Sequence, residues 1–231
     1  IEKVRQAASA RVRQRAPTLA PSESKSAGVV LPAPRPGVRR PDSGRLIAIG
    51  ASTGGTEAIR EVLQQLPAEM PPVVIAQHIP AGFSLAFAQR LDRVCQLAVS
   101  EVKDGETLQP GHAYVAPGDF HLIVERVGRG YRASVTADEK VNRHRPSVDV
   151  LFRSVATAAA ANAVGVILTG MGADGAAGLL EMRESGAKTI AQDEATSLVY
   201  GMPREAAKLG GAEAILPLDR IAAQVHSLVS D

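Results

Sequence analysis

The chain has 231 residues, of which 45% are apolar and 22% charged, a balance typical of a folded domain with a sizeable core. No stretch approaches the roughly 18 apolar residues that a membrane span needs, and no secretion signal is recognisable. Cys95 is the single cysteine, so it can form neither an internal disulfide nor a zinc site by itself. We therefore expect a cytoplasmic protein that is not inserted in a membrane.

Basic charge is concentrated at the N-terminus. Residues 1–45 contain ten Lys or Arg and three acidic residues, whereas residues 46–231 contain 16 basic and 21 acidic residues. The body therefore carries a net charge of −5, although the whole chain carries +2. A nucleic-acid-binding domain needs its basic surface on the folded part, so we expect no nucleic-acid partner there. An acidic partner for the tail stays open.

Residues 1–44 are predicted to be a flexible linker. They contain six prolines, with Ser and Arg among them and no aromatic residue. Such a segment buries too little apolar area to offset the entropy of ordering its backbone. We therefore place the folded domain at residues 45–231 and expect residues 1–40 to add almost nothing to its stability.

Short apolar runs alternate with amphipathic stretches from residue 45 onward. In chain order the runs predict strands at residues 46–50, 73–77, 164–169, 189–191 and 213–216. The stretches between them predict helices at residues 57–66, 84–94, 148–161, 176–184 and 219–229. Strands without polar alternation are buried on both faces. The pattern therefore predicts an α/β fold, a three-layer α/β/α doubly wound sheet with mostly parallel strands.

One stretch interrupts this alternation. Residues 112–116, 121–127 and 131–136 are short strand-like runs, the last two joined across Gly128-Arg129-Gly130. We expect them to pair antiparallel in a small excursion at one edge of the sheet.

The first predicted strand runs into the glycine-rich turn Gly50-Ala51-Ser52-Thr53-Gly54-Gly55-Thr56. A dinucleotide site would need an acid at the end of the second strand, where the sequence has Gln77-His78. A phosphate loop would need Lys before its Ser or Thr, where the sequence has Gly55. The turn does fit G-x-S-x-G, in which a tight turn exposes a nucleophilic serine. A nucleotide-binding module and a plain strand-to-helix turn remain the alternatives.

Three residues with complementary chemistry follow predicted strands. Ser52 follows the first strand, His78 the second, and Asp174 the strand at residues 164–169. The carboxyl ends of parallel strands meet at one edge of the sheet, so the three side chains can converge there. A serine nucleophile needs a base, and the base needs a carboxylate to orient it. Each residue also has a structural alternative, since His78 can bond a carbonyl group and Asp174 can cap a helix.

Four segments carry a resemblance to a known family. They are Ile49-Gly50-Ala51-Ser52-Thr53-Gly54-Gly55, Gln77-His78-Ile79-Pro80, Arg143-His144-Arg145-Pro146-Ser147-Val148-Asp149 and Leu168-Thr169-Gly170-Met171-Gly172-Ala173-Asp174-Gly175. In order and spacing they resemble the signature segments of CheB, the chemotaxis protein-glutamate methylesterase family. The resemblance covers roughly residues 45–228.

The resemblance implies a metal-free serine hydrolase without a cofactor. Ser52 would be the nucleophile, His78 the base and Asp174 its orienting carboxylate, with Thr53 and Met171 contributing backbone N–H groups to an oxyanion hole. The implied reactions are demethylation of glutamate γ-methyl esters and deamidation of glutamines on the cytoplasmic helices of chemoreceptors. A noncatalytic docking domain of the same fold is a further alternative.

The family's usual layout places a receiver domain, controlled by a histidine kinase, before the linker. This chain has the predicted linker and no recognisable receiver domain, so its sequence does not show phosphorylation control. Arg145 begins a predicted helix, where its guanidinium can hold an acidic substrate segment; an exposed helix-start charge is the alternative.

Overall fold

The computed structural model describes residues 24–34 and 44–230. Within these residues the largest sheet has seven strands, and every neighbouring pair is parallel. From one edge to the other the strands are β10 (Ala214–Leu216), β9 (Lys188–Gln192), β8 (Ala163–Ile167), β1 (Leu46–Ala51), β2 (Val73–Gln77), β5 (His112–Val115) and β3 (Ala98–Glu101). A smaller antiparallel sheet contains β4 (Thr107–Leu108), β7 (Gly130–Thr136) and β6 (His121–Val127). The predicted fold class, a mostly parallel sheet with a small antiparallel addition, is confirmed.

Helices cover both faces of the parallel sheet. In the described part of the chain they are α1 (Gly55–Gln64), α2 (Ser84–Asp92), α3 (Val148–Ala158), α4 (Ala176–Glu184), α5 (Met202–Lys208) and α6 (Leu218–Ser230). Helices α1, α2 and α6 share one apolar core with the sheet, and α3, α4 and α5 share the other with the small sheet. The molecule therefore has the three layers that buried, uniformly apolar strands require.

Side-chain alternation along β1 divides these two cores. Ile47 and Ile49 pack with the α1 side, whereas Leu46 and Ala48 pack with the α3 side. All six residues of β1 are buried, which explains why the sequence shows no polar alternation there.

The expected pairing of β5 is wrong. We expected residues 112–116 to pair antiparallel with their sequence neighbours, but β5 lies between β2 and β3 and is parallel to both. Parallel placement buries Ala113 and Val115 in one core and Tyr114 in the other. Strands β3 and β4 were not predicted, because each has only a few residues and is half exposed.

Residues 24–34, which we call the N-terminal strap, pack against the folded domain. Ala27 is buried beside Val141 and Val150, with Leu31 packed at the edge of the same cluster. The Arg153 guanidinium donates a hydrogen bond to the Leu31 carbonyl at 3.0 Å. This segment of the predicted linker therefore contacts the domain, and the small contribution of residues 1–40 to stability stays a prediction. The rest of the predicted linker, residues 1–23 and 35–43, lies outside the described residues.

The helices of the described ranges are all too short or too polar to cross a membrane.

Candidate active site

The predicted site lies where the strand order of the parallel sheet reverses. Chain order runs from β1 outward to β2 on one side, and β8 returns to pair with the other side of β1. Such a switch point leaves a crevice at the carboxyl ends of the strands. Ser52 follows β1 and Asp174 lies beyond the end of β8, so both are at this crevice.

A tight turn presents Ser52 at the end of β1. The Ser52 carbonyl accepts a hydrogen bond from the Gly55 N–H at 2.8 Å, and Gly54 has a φ of 81°, which favours glycine. The Ser52 N–H donates to the Thr169 carbonyl at 3.0 Å. At Gly170 a Cβ atom would lie 2.7 Å from the Ser52 Cβ, so only glycine lets the β8 loop approach this closely.

The three predicted catalytic side chains form one hydrogen-bonded line. Ser52 Oγ lies 3.1 Å from His78 Nδ1, and His78 Nε2 lies 2.7 Å from Asp174 Oδ2. An ionised carboxylate only accepts hydrogen bonds, so Nε2 carries the hydrogen and Nδ1 is the acceptor for the Ser52 hydroxyl. The imidazole therefore presents Nδ1 to the serine, where serine proteases present Nε2.

Asp174 is 3% exposed and accepts hydrogen bonds from several donors. Besides His78 these are the Ser147 hydroxyl at 2.8 Å, the Val148 N–H at 2.7 Å, the Asn142 amide at 2.8 Å and the Asp149 N–H at 3.3 Å. Burial opposes ionisation of the carboxyl, but the bonds from His78 and the other donors outweigh it and hold the pKa of Asp174 below its ordinary value. Asp174 is therefore a carboxylate at neutral pH.

A second buried carboxyl, Asp149, lies beside the first. Its side chain accepts hydrogen bonds from the Gly178 N–H and from the Asn142 amide, both at 2.7 Å. Burial, followed by the negative charge of Asp174, raises the pKa of Asp149 to about 7. One amide group, that of Asn142, thus bonds both carboxyls.

The ring of His144 stacks on the ring of His78. Their centroids are 3.7 Å apart and their planes differ by 10°. Burial, followed by the neighbouring His78, lowers the pKa of His144. A neutral His144 can lie against the base without adding a second positive charge when His78 takes up a proton.

The two expected oxyanion donors, Thr53 and Met171, lie at the crevice, and their role in an oxyanion hole stays a prediction. Among the described residues the backbone N–H groups of Thr53 and Met171 have no hydrogen-bond acceptor. Thr53 is exposed beside the N-terminus of α1, and the Met171 side chain is 71% exposed. Free N–H groups next to a serine nucleophile are what a developing oxyanion needs.

Comparison with known proteins shows the family. A family model described as CheB methylesterase matches residues 47–225. The chain belongs to the CheB methylesterase family.

Three relatives carry the name protein-glutamate methylesterase/protein-glutamine glutaminase. One from Burkholderia lata is 57% identical over 97% of this chain and 61% of its own length. One from Salmonella typhimurium is 53% identical over 99% of this chain and 62% of its own length. One from Bradyrhizobium diazoefficiens is 52% identical over 97% of this chain and 62% of its own length. The chain therefore spans about 62% of the length of these curated relatives.

A solved structure shows the same fold. The chain matches the crystal structure of the Thermotoga maritima CheB methylesterase catalytic domain with a TM-score of 0.78 and 37% identity. The match covers 81% of this chain and 100% of that one.

Arg145 borders a cavity of about 440 Å³ that is also lined by His78 and Lys140. Its guanidinium donates to the Ala137 and Asp138 carbonyls, the latter at 2.8 Å, and pairs with Asp119 at 3.2 Å. These bonds tie two loops together, and the contact with substrate stays a prediction. Lys140 is exposed and has no partner among the described residues.

Sequence reasoning missed several residues that support the site. His144 and Ser147 lie within the third signature segment and Asn142 directly precedes it, but none of the three was singled out as a site residue. Gln77 donates hydrogen bonds to the Ser52 carbonyl at 2.9 Å and to the His78 carbonyl at 3.0 Å, and so joins the ends of β1 and β2. Proximity to Arg145 and Pro146 in the sequence was the one signal available for the first three.

No group of three or more His, Cys, Asp or Glu side chains comes together as a metal site in residues 24–34 and 44–230.

Proposed function

We propose that this protein is a serine hydrolase that removes the methyl group from glutamate γ-methyl esters and releases methanol. The observation that carries the proposal is the continuous line from Ser52 Oγ through the His78 ring to Asp174. The names of the relatives give the substrate class, and the free N–H groups of Thr53 and Met171 support acyl chemistry.

In the first step Ser52 Oγ attacks the ester carbonyl while His78 Nδ1 takes the hydroxyl proton. The carbonyl oxygen becomes an oxyanion that accepts hydrogen bonds from the Thr53 and Met171 N–H groups. Asp174, which is ionised, stabilises the imidazolium that forms.

The tetrahedral intermediate then collapses. The methoxy oxygen takes the proton from His78 and leaves as methanol, and an acyl-enzyme remains on Ser52. Water, deprotonated by His78, attacks this ester, and the bond from the acyl carbon to Ser52 Oγ breaks as His78 returns the proton to Ser52 Oγ, which releases the glutamate side chain. A glutamine side chain would pass through the same intermediate with ammonia as the leaving group, which gives the deamidation in the relatives' names.

The proposed substrates are the cytoplasmic helices of methyl-accepting chemoreceptors, and the proposed role is chemosensory adaptation. The chain matches about 62% of the relatives' length, which leaves room for a further domain in the full-length protein. We propose that this is a receiver domain addressed by a histidine kinase.

A nucleotide-binding role for the glycine-rich turn is not favoured. The side chain of Gln77 already fills the space beside the turn, since a Cβ atom at Gly55 would lie 2.1 Å from Gln77 Oε1. The turn is therefore packed against a neighbouring strand end and holds Ser52 in place.

A fluorophosphonate probe tests the chemistry. The wild-type protein should be modified at Ser52, as located by peptide mass spectrometry, and should release methanol from a methylated receptor fragment. Ser230→Ala, which alters an exposed serine far along the chain, serves as the control and should behave as wild type. EDTA should leave both reactions unchanged. Absence of labelling at Ser52 would favour the docking-domain alternative.

A further inference from the structure

The N-terminal strap bonds Asn142, which in turn bonds Asp174 of the catalytic line. Asn142 lies in a two-residue turn between Val141 and His144, whose main chains bond each other at 2.8 and 3.2 Å. Asn142 has a φ of 49°, in the left-handed region. The turn places the Asn142 side chain between the strap and the buried carboxyls.

Every polar group of the Asn142 side chain has a partner. The amide nitrogen donates to Asp174 Oδ1 at 2.8 Å and to Asp149 Oδ2 at 2.7 Å. On the opposite side the amide oxygen accepts from the Ser24 hydroxyl at 3.3 Å, and the Asn142 N–H donates to the Lys25 carbonyl at 2.9 Å. The strap therefore fixes one side of a residue whose other side holds the catalytic carboxylate.

The strap is anchored independently of Asn142. Ala27 is 4% exposed in its apolar cluster, and the Lys25 ammonium pairs with Glu139. Arg153, which bonds the Leu31 carbonyl, is itself paired with Glu181 on α4. These contacts hold the strap against α3 and the loop before it, so its bonds to Asn142 have a fixed support.

A fixed amide between two buried carboxyls has a definite electrostatic effect. The two N–H bonds favour the ionised form of each acid and offset the repulsion between Asp174 and Asp149. A loosened Asn142 would leave the two acids facing each other without their shared donor. Without that donor each acid, Asp174 included, would be protonated at a higher pH than before, and a protonated Asp174 cannot stabilise the His78 imidazolium.

We propose that Asn142 is a positioning residue for the Ser52–His78–Asp174 line, and that docking of the N-terminal strap holds Asn142 in place and so sets the reactivity of Ser52. The proposal rests on the proposed function, because it takes Ser52 as the nucleophile. The family model matches residues 47–225, so the strap lies outside the matched region. In this proposal the strap nevertheless supports the active site.

A purely conformational role for Asn142 is the competing explanation, since asparagine favours the left-handed region. Asn142→Gly separates the two explanations, because glycine keeps the turn and removes the amide. Ala160→Gly is the matched control, since Ala160 also has a positive φ, of 48°. It lies before the start of β8, whereas the candidate site lies beyond the end of that strand. The measurement is the rate of fluorophosphonate labelling at Ser52 between pH 5 and 9.

We expect Asn142→Gly to label about tenfold more slowly at pH 7, with the acid limb of its pH profile moved to higher pH. A merely structural role would lower the rate by one factor at every pH. The titratable groups that face Asp174 from its neighbours are His78, His121, His144 and Asp149. These groups are present in wild type and in Asn142→Gly, so a shift of the acid limb of the pH profile reports the loss of the amide.

Undocking the strap tests the second half of the proposal. Ala27→Asp places a charge at the buried Ala27, whereas Val29→Asp places the same charge two residues away, where the side chain is 50% exposed. We expect Ala27→Asp to slow labelling about threefold and to move the acid limb in the same direction as Asn142→Gly. Val29→Asp should match wild type.

The double variant Ala27→Asp, Asn142→Gly decides whether the strap acts through Asn142. It should label as slowly as Asn142→Gly alone, because the strap then has nothing left to hold. The proposal would be overturned if the rate losses of the two single variants multiplied in the double variant. It would also be overturned if the pH profile of labelling in Asn142→Gly were unshifted. If Ala27→Asp does not fold, Asn142→Gly still decides the role of the amide. Failure of wild type to label would refute the proposed function instead.

Discussion

The imidazole rings of His78 and His144 lie face to face, 3.7 Å apart, so the base of the candidate site has a second histidine as its packing partner. The stack covers one face of the His78 ring and restricts its rotation. Because stacked aromatic pairs contribute about 0.5–1.5 kcal/mol, the loss of His144 should lower the rate of ester hydrolysis by a factor of roughly 2 to 10.

His144→Ala should therefore slow hydrolysis of a small ester by this factor, and His144→Phe should keep most of the rate because it keeps a flat ring. Initial rates at pH 7.5 measure both effects. His226→Ala, at an exposed histidine on α6, is the control. Equal losses in the Ala and Phe variants would show that a property of the imidazole other than stacking is needed.

Substitutions of the three residues in the catalytic line should lower the rate of ester hydrolysis to different extents. Ser52→Ala should abolish ester hydrolysis and leave the melting temperature near that of wild type, because only the nucleophile is lost. His78→Gln should lose nearly as much activity as Ser52→Ala, and Asp174→Asn should lose less. Single-turnover kinetics and heat denaturation measure the two quantities. Near-normal turnover by Ser52→Ala would refute the mechanism.

The basic residues beside the cavity should separate into two roles. Lys140→Ala should raise KM for an acidic receptor fragment, with an effect that fades as salt rises, because its exposed ammonium has no partner in the described structure. Arg145→Ala should slow the receptor fragment and a small neutral ester alike, because its guanidinium joins two loops. Both substrates are measured at low and high ionic strength. A loss confined to the receptor fragment in Arg145→Ala would instead support the predicted contact of Arg145 with substrate.

The raised pKa of Asp149 makes stability depend on pH. Between the ordinary value of 3.8 and about 7 the folded protein holds a proton that the unfolded chain has lost. The free energy of unfolding therefore falls as pH rises through this window. Asp149→Asn removes the effect, so the variant should gain on the order of 2 kcal/mol relative to wild type between pH 5 and pH 8.

Urea unfolding at the two pH values measures this difference, with Asp138→Asn as the control because Asp138 is exposed. A difference between Asp149→Asn and wild type that stays constant with pH would mean that Asp149 is already ionised at pH 5.

Local sequence determined five strands of the parallel sheet, most of the helices and the three residues of the catalytic line. Strands buried on both faces lack polar alternation, so β1, β2 and β8 could be recognised one by one. The carboxyl ends of parallel strands share an edge, which was enough to bring Ser52, His78 and Asp174 together.

Tertiary structure alone decided the pairing of β5 and the surroundings of Asp174. A short apolar run carries no information about which distant strand it pairs with, so β5 was assigned to its sequence neighbours. The apolar run of the strap is short and lies among prolines, and the surface that receives Ala27 exists only after Val141 and Val150 have come together. Asn142 bonds two acids and the strap because these groups meet in the folded state, and no local pattern encodes such a meeting.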